Sequence, residues 1–201
     1  MRKLIWFVLI TGLMTLIACG GQSSVDLSAH DFNGTYVGGV FSVEDFELES
    51  AAGPVKLSDF SEEYVVLYFG YTFCPDFCPI TLSQMSTVRE ALVADGEDLN
   101  VIMVTVDPER DTAELLAEYV TFFDDSFVGL TGTPEAIAAA ADPFGVFYEI
   151  GEVAENKEYY LVNHTTRTFL VGPDGAPLLT WAHEVSTDGI VADIKFLMAN
   201  G

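Results

Sequence analysis

Residues 64–85 read YVVLYFGYTFCPDFCPITLSQM, and this stretch decides the fold class. Residues 64–71 form a nearly continuous run of β-branched and aromatic residues, which is typical of a strand buried on both faces. Over residues 80–94 apolar side chains recur with a helical period, as at Leu82 and Met85. A buried strand followed at once by a helix predicts an α/β layer.

The alternation of strands and helices continues toward the C-terminus. Further strands are predicted at residues 101–106, 127–130, 168–171 and 178–182. Further helices are predicted at residues 112–123, from Thr133 with Pro134 in the first turn, and from Ser186. This order predicts one α/β domain over residues 40–201, with a central mixed sheet and helices on both faces.

The first 18 residues have the pattern of an export signal. Two basic residues precede an apolar run at residues 4–17, which is shorter than the ~20 residues of a membrane-spanning helix. The run ends in LIACG at residues 16–20, a sequence that resembles the lipobox of bacterial lipoproteins. We therefore predict a lipoprotein signal peptide at residues 1–18, lipid attachment at Cys19 and an extracytoplasmic domain anchored to a bacterial membrane. An ordinary signal peptide or an uncleaved anchor is the alternative.

Residues 19–39 are rich in Gly, Ser, Asp and Asn, which predicts a flexible tether. The whole chain has 8 basic and 31 acidic residues, and its formal net charge is −23. Such a charge repels phosphate, excludes nucleic acid as a general partner and favours a soluble monomer. Three cysteines are too few for a disulfide framework, so each is interpreted by its position.

Cys74 and Cys78 lie four residues apart where the predicted helix begins. The free N–H groups and the positive end of the helix dipole stabilise thiolates at such a position. The pair can either cycle between dithiol and disulfide or bind a soft metal. A plain disulfide remains an alternative, although a crosslink over so few residues removes little entropy from the unfolded chain.

Four motifs in order resemble the Sco/SenC family of extracytoplasmic copper proteins. Residues 68–82 (YFGYTFCPDFCPITL) are similar to the family signature GYT-x-CPD-x-CP. The other three are VTVDPERDT at residues 104–112, LTGTPE at 130–135 and VNHTTRTFLVGPDG at 162–175. The resemblance covers most of the chain after the signal peptide.

This resemblance implies a thioredoxin-like fold in which two cysteines and a distant histidine bind one copper ion, as Cu(I) or Cu(II). Carried over by position, these ligands are Cys74, Cys78 and His164. It also implies a chaperone that assists assembly of the dinuclear copper site of cytochrome c oxidase subunit II. The alternatives are a thiol–disulfide oxidoreductase, which would use Cys74 and Cys78 as a redox dithiol on a client protein, and a redox or copper sensor.

The two other histidines are assigned no role. His30 falls in the predicted tether, and His183 follows a predicted strand as a surface residue next to Glu184. Many relatives have histidine before the first cysteine, where this chain has Phe73. That difference leaves the implied ligand set of two cysteines and one histidine unchanged.

Four charged residues follow the predicted strand at residues 101–106, namely Asp107, Glu109, Arg110 and Asp111. We interpret them as a solvated, salt-bridged loop, although the carboxyl ends of strands are where α/β sites often lie. Asp76, between the cysteines, is interpreted as a turn residue. Met85 and Met103 belong to apolar patterns and are predicted to lie in the core.

Overall fold

The computed structural model describes residues 27–151 and 160–200. Its α-helices are α1 (Phe77–Ala94), α2 (Ala113–Thr121), α3 (Pro134–Ala141) and α4 (Thr187–Asn200). Its strands are β1 (Thr35–Tyr36), β2 (Glu47–Ser50), β3 (Gly53–Lys56), β4 (Val65–Gly70), β5 (Asn100–Thr105), β6 (Val128–Leu130), β7 (Tyr148–Ile150), β8 (Val162–His164), β9 (Thr168–Val171) and β10 (Pro177–Trp181).

Six of these strands form the central mixed sheet, in the order β1-β10-β9-β4-β5-β6. Strand β4 lies inside the sheet, parallel to β5 and antiparallel to β9. All six residues of β4 are buried, as its sequence predicted. The pairs β2–β3 and β7–β8 form two separate hairpins outside this sheet. The predicted α/β fold with a central mixed sheet is confirmed.

Most predicted elements are found close to their predicted bounds. Strands β4, β5, β6, β9 and β10 each start and end within one residue of the prediction. Helix α1 begins three residues earlier than predicted, at Phe77. The hydroxyl of Thr133 accepts a hydrogen bond from the backbone N–H of Ala136 at 3.2 Å, and Pro134 is the first residue of α3. The hydroxyl of Ser186 accepts a hydrogen bond from the backbone N–H of Gly189 at 3.2 Å, near the start of α4.

The chain joins the domain earlier than the predicted tether allows. Within residues 27–39, strand β1 pairs antiparallel with β10. The carboxylate of Asp193, only 1% exposed, accepts hydrogen bonds from the backbone N–H groups of Asn33 and Gly34 at 2.9 and 2.8 Å. The domain end of the predicted 19–39 tether is therefore docked on the sheet and on α4.

Glycine explains why this docked segment has the composition of a linker. A Cβ atom at Gly34 would lie 2.6 Å from the ring of Trp181, so only glycine permits the close approach. His30, which was placed in the tether without a role, is exposed but stacks on Phe196 with ring centroids 3.5 Å apart. Composition alone does not distinguish glycine used for packing from glycine used for flexibility.

The predicted signal peptide at residues 1–18 and Cys19 lie outside the described residues. Among the helices of the described part, none combines the length and the apolar character needed to cross a membrane.

Candidate metal centre

The two cysteines lie where β4 passes into α1. Strand β4 ends at Gly70, and a turn carries Cys74 in a half-buried position before the helix begins. Cys78 is in the first turn of α1 and is completely buried. The backbone N–H of Cys78 donates to the Sγ atom of Cys74 at 3.5 Å. The helix N-terminus therefore supplies a donor to the more accessible sulfur.

His164, the last residue of β8, reaches the same place from 86 residues away in the chain. Its Nε2 atom lies 3.5 Å from the Sγ atom of Cys78. The ligand atoms of Cys74, Cys78 and His164 all lie within 4.8 Å of one another. The structure thus brings together the three residues that the resemblance indicated.

The tautomer of His164 follows from its second ring nitrogen. Nδ1 lies 2.9 Å from the carbonyl oxygen of Thr165. Because a carbonyl oxygen can only accept, Nδ1 carries the proton of the neutral ring. The lone pair of Nε2 is then directed to the sulfur side, where a metal ligand needs it.

The two thiols differ in acidity. The hydrogen bond from Cys78 lowers the pKa of Cys74 to about 3 against the opposing effect of burial, and His164 and the backbone N–H groups of Cys78 and Asp76 contribute. Burial raises the pKa of Cys78 well above its usual range, and the neighbouring Cys74 contributes. The first thiolate of the pair therefore forms at Cys74.

Two tyrosines form the inner wall of the centre. The hydroxyl of Tyr68, on β4, donates to the Sγ atom of Cys78 at 3.3 Å and is buried with it. The rings of Tyr68 and Tyr71 pack edge-to-face with the His164 ring, with ring centroids 6.1 and 5.7 Å apart. Gly70 leaves room for this packing, since a Cβ atom there would lie 2.9 Å from the Cys78 sulfur. The sequence analysis assigned no role to these residues. The available signal was the Tyr68 hydroxyl, which lies within a buried apolar run and therefore needs a hydrogen-bond partner.

The segment after β5 is not the solvated loop that was expected. Asp107 is 1% exposed and Asp111 is fully buried. Asp111 accepts hydrogen bonds from the backbone N–H of Thr72 at 3.0 Å, from the Thr72 hydroxyl at 2.5 Å and from the Thr105 hydroxyl at 2.7 Å. The expected solvation is wrong for Asp107 and Asp111, because their carboxylates satisfy donors inside the fold. The expected salt bridge is present between Asp107 and Arg110, and Glu109 is exposed.

The other candidates have positions of their own. His183 contacts the ring of Phe77 at 4.8 Å and Glu184 at 3.3 Å, and it is not part of the cluster of ligand atoms. Met85 and Met103 are completely buried, as predicted. The cleft that opens beside Cys74 and His164 is lined in part by two exposed apolar side chains, Phe77 and Leu161.

Two sulfurs and one imidazole nitrogen form a donor set that suits copper. Thiolates are soft ligands that favour Cu(I), and an imidazole adds affinity for Cu(II). The same sulfurs can also form a disulfide and exchange it with another thiol pair. The geometry of the centre is compatible with both chemistries.

Comparison with known proteins identifies the family. The sequence profile of SCO1/SenC matches residues 38–199, which is most of the chain. The chain belongs to the SCO1/SenC family. Sco proteins are copper-binding proteins of cytochrome c oxidase assembly.

The human mitochondrial SCO1 homologue is 38% identical over 133 residues, which cover 65% of this chain and 44% of the human protein. The chain spans about half the length of the mammalian relatives that it matches.

Two solved Sco structures resemble the chain closely in fold. The solution structure of apo Sco1 from Thermus thermophilus is 42% identical, with a TM-score of 0.75, over 85% of this chain and 99% of the other. The copper-bound ScoI crystal structure from Arabidopsis thaliana is 32% identical, with a TM-score of 0.71, over 77% of this chain and 98% of the other.

Proposed function

We propose that this protein is a copper chaperone that binds one copper ion through Cys74, Cys78 and His164. Its client is the dinuclear copper site of cytochrome c oxidase subunit II, as the resemblance to Sco/SenC proteins implies. The observation that carries the proposal is the approach of His164 Nε2 to within 3.5 Å of the Cys78 sulfur. A dithiol that only exchanges electrons does not require an imidazole at that position.

The chemistry of the three groups supports the proposal. Cys74 offers a thiolate at neutral pH, because its pKa is lowered to about 3. His164 offers a lone pair on Nε2, because Nδ1 donates to Thr165. Copper would supply the positive charge that allows the buried Cys78 to ionise as well. Bound copper is cargo here, and the residues hold it until it is passed to the client.

The attachment to a membrane is part of the same proposal. We infer that Cys19 is lipidated after removal of residues 1–18, which holds the domain on the outer side of a bacterial membrane. The lipobox-like sequence LIACG at residues 16–20, directly after the apolar run, supports this inference. Replacement of Cys19 with alanine should move the protein from the membrane fraction to an unprocessed or secreted form.

Unequal exposure of the two sulfurs favours a second candidate function, thiol–disulfide exchange. Cys74 is half-buried with a low pKa, whereas Cys78 is completely buried. An accessible thiolate that attacks and a buried thiol that resolves are the two parts an exchange reaction needs. In this function the protein would reduce the cysteines of its client and would not need to hold copper.

A paired titration separates the two functions. The reduced protein is titrated anaerobically with Cu(I) and with Cu(II), and the bound metal is counted; the potential of the dithiol is measured on the same samples. The chaperone proposal expects one copper per chain in the wild type. His164→Ala should lose Cu(II) binding and weaken Cu(I) binding, while its disulfide remains reducible.

His183→Ala is the matched control, because His183 lies outside the cluster of ligand atoms. It should bind copper as the wild type does. Full copper binding by His164→Ala would overturn the three-ligand proposal. Normal oxidase assembly in cells carrying His164→Ala, despite lost copper binding, would favour the exchange function.

A further inference from the structure

His164 lies on a part of the fold that the main sheet does not hold. Within residues 27–151 and 160–200, strand β8 pairs only with β7, in a two-stranded hairpin separate from the six-stranded sheet. Cys74 and Cys78, in contrast, follow directly from the buried strand β4. The distance between the imidazole and the sulfurs therefore depends on side-chain contacts that fix β8 to the body of the domain.

Three side chains form such a contact just before β8, and we call Asp107, Arg110 and Tyr160 the bracket. The guanidinium carbon of Arg110 lies 3.5 Å from the centre of the Tyr160 ring, and its Nη1 donates to the Tyr160 carbonyl oxygen at 3.1 Å. The Tyr160 hydroxyl donates to Oδ1 of Asp107 at 2.7 Å. Nε of Arg110 donates to Oδ2 of the same carboxylate at 2.5 Å.

The bracket also contacts the segment that carries the cysteines. The guanidinium carbon of Arg110 lies 4.8 Å from the ring centre of Phe73, next to Cys74, and 5.7 Å from that of Tyr71. The Tyr71 hydroxyl in turn accepts the backbone N–H of Val162, in β8, at 3.2 Å. Arg110 therefore lies between the two ligand-bearing segments and contacts both.

We propose that Asp107, Arg110 and Tyr160 are positioning residues that hold His164 against the dithiol and thereby control its coordination of copper. The proposal rests on the proposed copper function. It adds a role for the charged motif after β5, which contains Asp107 and Arg110 and supplies no copper ligand. The bracket has a buried anchor, since Asp107 is 1% exposed and lies two residues after the end of β5, where its backbone N–H donates to the Thr105 hydroxyl at 2.9 Å. Because this anchor is bonded to the end of a central strand, we expect loosening the bracket to free β8 and to leave the cysteines in place.

The two oxidation states of copper should respond differently to a loosened bracket. Two thiolates satisfy Cu(I), which is a soft ion, whereas Cu(II) depends more strongly on nitrogen and oxygen ligands. Displacement of the imidazole should therefore weaken Cu(II) binding far more than Cu(I) binding. General damage to the fold would weaken both.

The test uses Tyr160→Phe, which keeps the ring under Arg110 and removes only the hydroxyl that donates to Asp107. The matched control is Tyr119→Phe, whose hydroxyl is buried and has no hydrogen-bond partner among the described residues. The dissociation constants for Cu(I) and Cu(II) are measured by competition with chelators. Imidazole coordination is read from the nitrogen hyperfine coupling of bound Cu(II).

We expect Tyr160→Phe to raise the dissociation constant for Cu(II) about tenfold, as loss of one hydrogen bond to a charged group predicts. The constant for Cu(I) should change less than about threefold, and nitrogen coupling should weaken. Tyr119→Phe should match the wild type in all three measurements. Arg110→Lys, which keeps the charge but loses the planar fork, should shift Cu(II) binding in the same direction and is the second variant if Tyr160→Phe does not fold.

A double variant separates failure of this inference from failure of the proposed function. In the background His164→Ala, Tyr160→Phe should have no further effect on the weakened Cu(I) binding that remains, because no imidazole is left to be positioned. If the wild type binds copper through His164 but Tyr160→Phe behaves like Tyr119→Phe, the bracket is not a positioning device. Equal weakening of Cu(I) and Cu(II) also overturns the inference. If copper binding in the wild type does not depend on His164, the proposed function itself fails.

Discussion

At the scale of single residues, the two cysteines of the candidate centre are chemically unequal. Cys74 is accessible and ionises easily, while Cys78 is enclosed by Tyr68 and the start of α1. Thiolates, not thiols, react with alkylating reagents. The difference between the two sulfurs can therefore be measured without any metal.

Alkylation of Cys74 should hardly depend on pH between about 5 and 8. Its pKa of about 3 keeps it ionised throughout this range, so the rate should fall only near pH 3 to 4. The measurement is the rate of iodoacetamide incorporation into the reduced protein, with the modified residue located by mass spectrometry. Cys78 should react much more slowly, and Cys74→Ser should remove the fast phase. A rate that rises tenfold per pH unit between pH 6 and 8 would show an ordinary thiol at Cys74.

Burial raises the pKa of Asp111, even though Thr72 and Thr105 donate hydrogen bonds to its carboxylate. An acid whose pKa is higher in the folded state contributes most to stability below its unfolded value of about 4. That contribution is lost as the pH rises through the folded pKa. The sign is opposite to that of a carboxylate in a salt bridge.

Asp111→Asn should therefore become more stable relative to the wild type as the pH rises from about 4 to 7. The amide oxygen can accept from Thr72 and Thr105, and the amide NH₂ can donate to the Thr72 hydroxyl, so the hydrogen bonds survive. Asp111→Ala should lose about 2 kcal/mol or more at every pH, because buried donors are left without acceptors. Urea denaturation at several pH values measures both effects. If Asp111→Asn instead becomes less stable relative to the wild type as the pH rises, the pKa of the Asp111 carboxyl is lowered in the folded state.

Sequence reasoning reached part of this residue-level description. Cys74 and Cys78 stand out by their spacing at a helix start, and His164 was found only through the family motif. The burial of Asp107 and Asp111 was not predicted. A charged run has the same composition whether it is solvated or hydrogen-bonded inside the fold. Only the positions of Thr72, Thr105 and Tyr160 distinguish the two cases.

At the scale of elements, local signals predicted most of the core strands and helices. Five strands of the central sheet have apolar runs or flank the Pro-Asp-Gly turn, and each was located within one residue. Strands β1, β2, β3, β7 and β8 were not predicted. They contain two to four residues each, and only two of their residues, Leu48 and Val162, are buried. Strands with so few buried residues carry too little apolar pattern to be recognised.

The cap of α3 provides a test at this scale. Thr133→Ala removes the hydroxyl that accepts the Ala136 N–H and should lower the free energy of unfolding by about 1 kcal/mol. Copper binding should not change, since α3 contributes no residue to the candidate centre. Thermal and urea unfolding measure the effect.

Thr87→Ala is the matched control for the cap. Thr87 lies exposed inside α1, where its hydroxyl only bonds back to the Ser83 carbonyl at 3.1 Å. Alanine has the higher helix propensity, so this substitution should be neutral or slightly stabilising. Equal losses in both variants would mean that the Thr133 hydroxyl does not act as a cap.

At the scale of the whole molecule, the N-terminal segment of the described chain is hydrogen-bonded to the C-terminal helix α4. Asp193 of α4 accepts hydrogen bonds from Asn33, from Gly34 and, at 2.8 Å, from the indole N–H of Trp181. The N-terminal segment thus closes one edge of the sheet and covers part of α4.

A chain that begins at Val40 should be less stable than one that begins at Leu27. It lacks β1 and leaves the Asp193 carboxylate with the Trp181 indole as its remaining donor among these contacts, so we expect a loss of about 2 kcal/mol or more. Urea unfolding of the two chains measures the difference. Both should bind copper with the same stoichiometry, because residues 27–39 contribute nothing to the cluster of ligand atoms. Equal unfolding midpoints would show that the docked segment adds no stability.

Under the proposed lipidation of Cys19, the docked N-terminal segment also sets how far the domain can move from its point of attachment. The thirteen residues from 27 to 39 would extend by at most about 43–47 Å if they were released from the sheet and from α4. The segment is held by the two residue pairs of β1, by the hydrogen bond from the Val37 N–H to the Leu178 carbonyl oxygen at 2.8 Å and by the bonds to Asp193. With Cys19 lipidated as we propose, release of these contacts would lengthen the tether by up to that distance. The copper site would then reach a larger volume around its attachment point, without unfolding of the core.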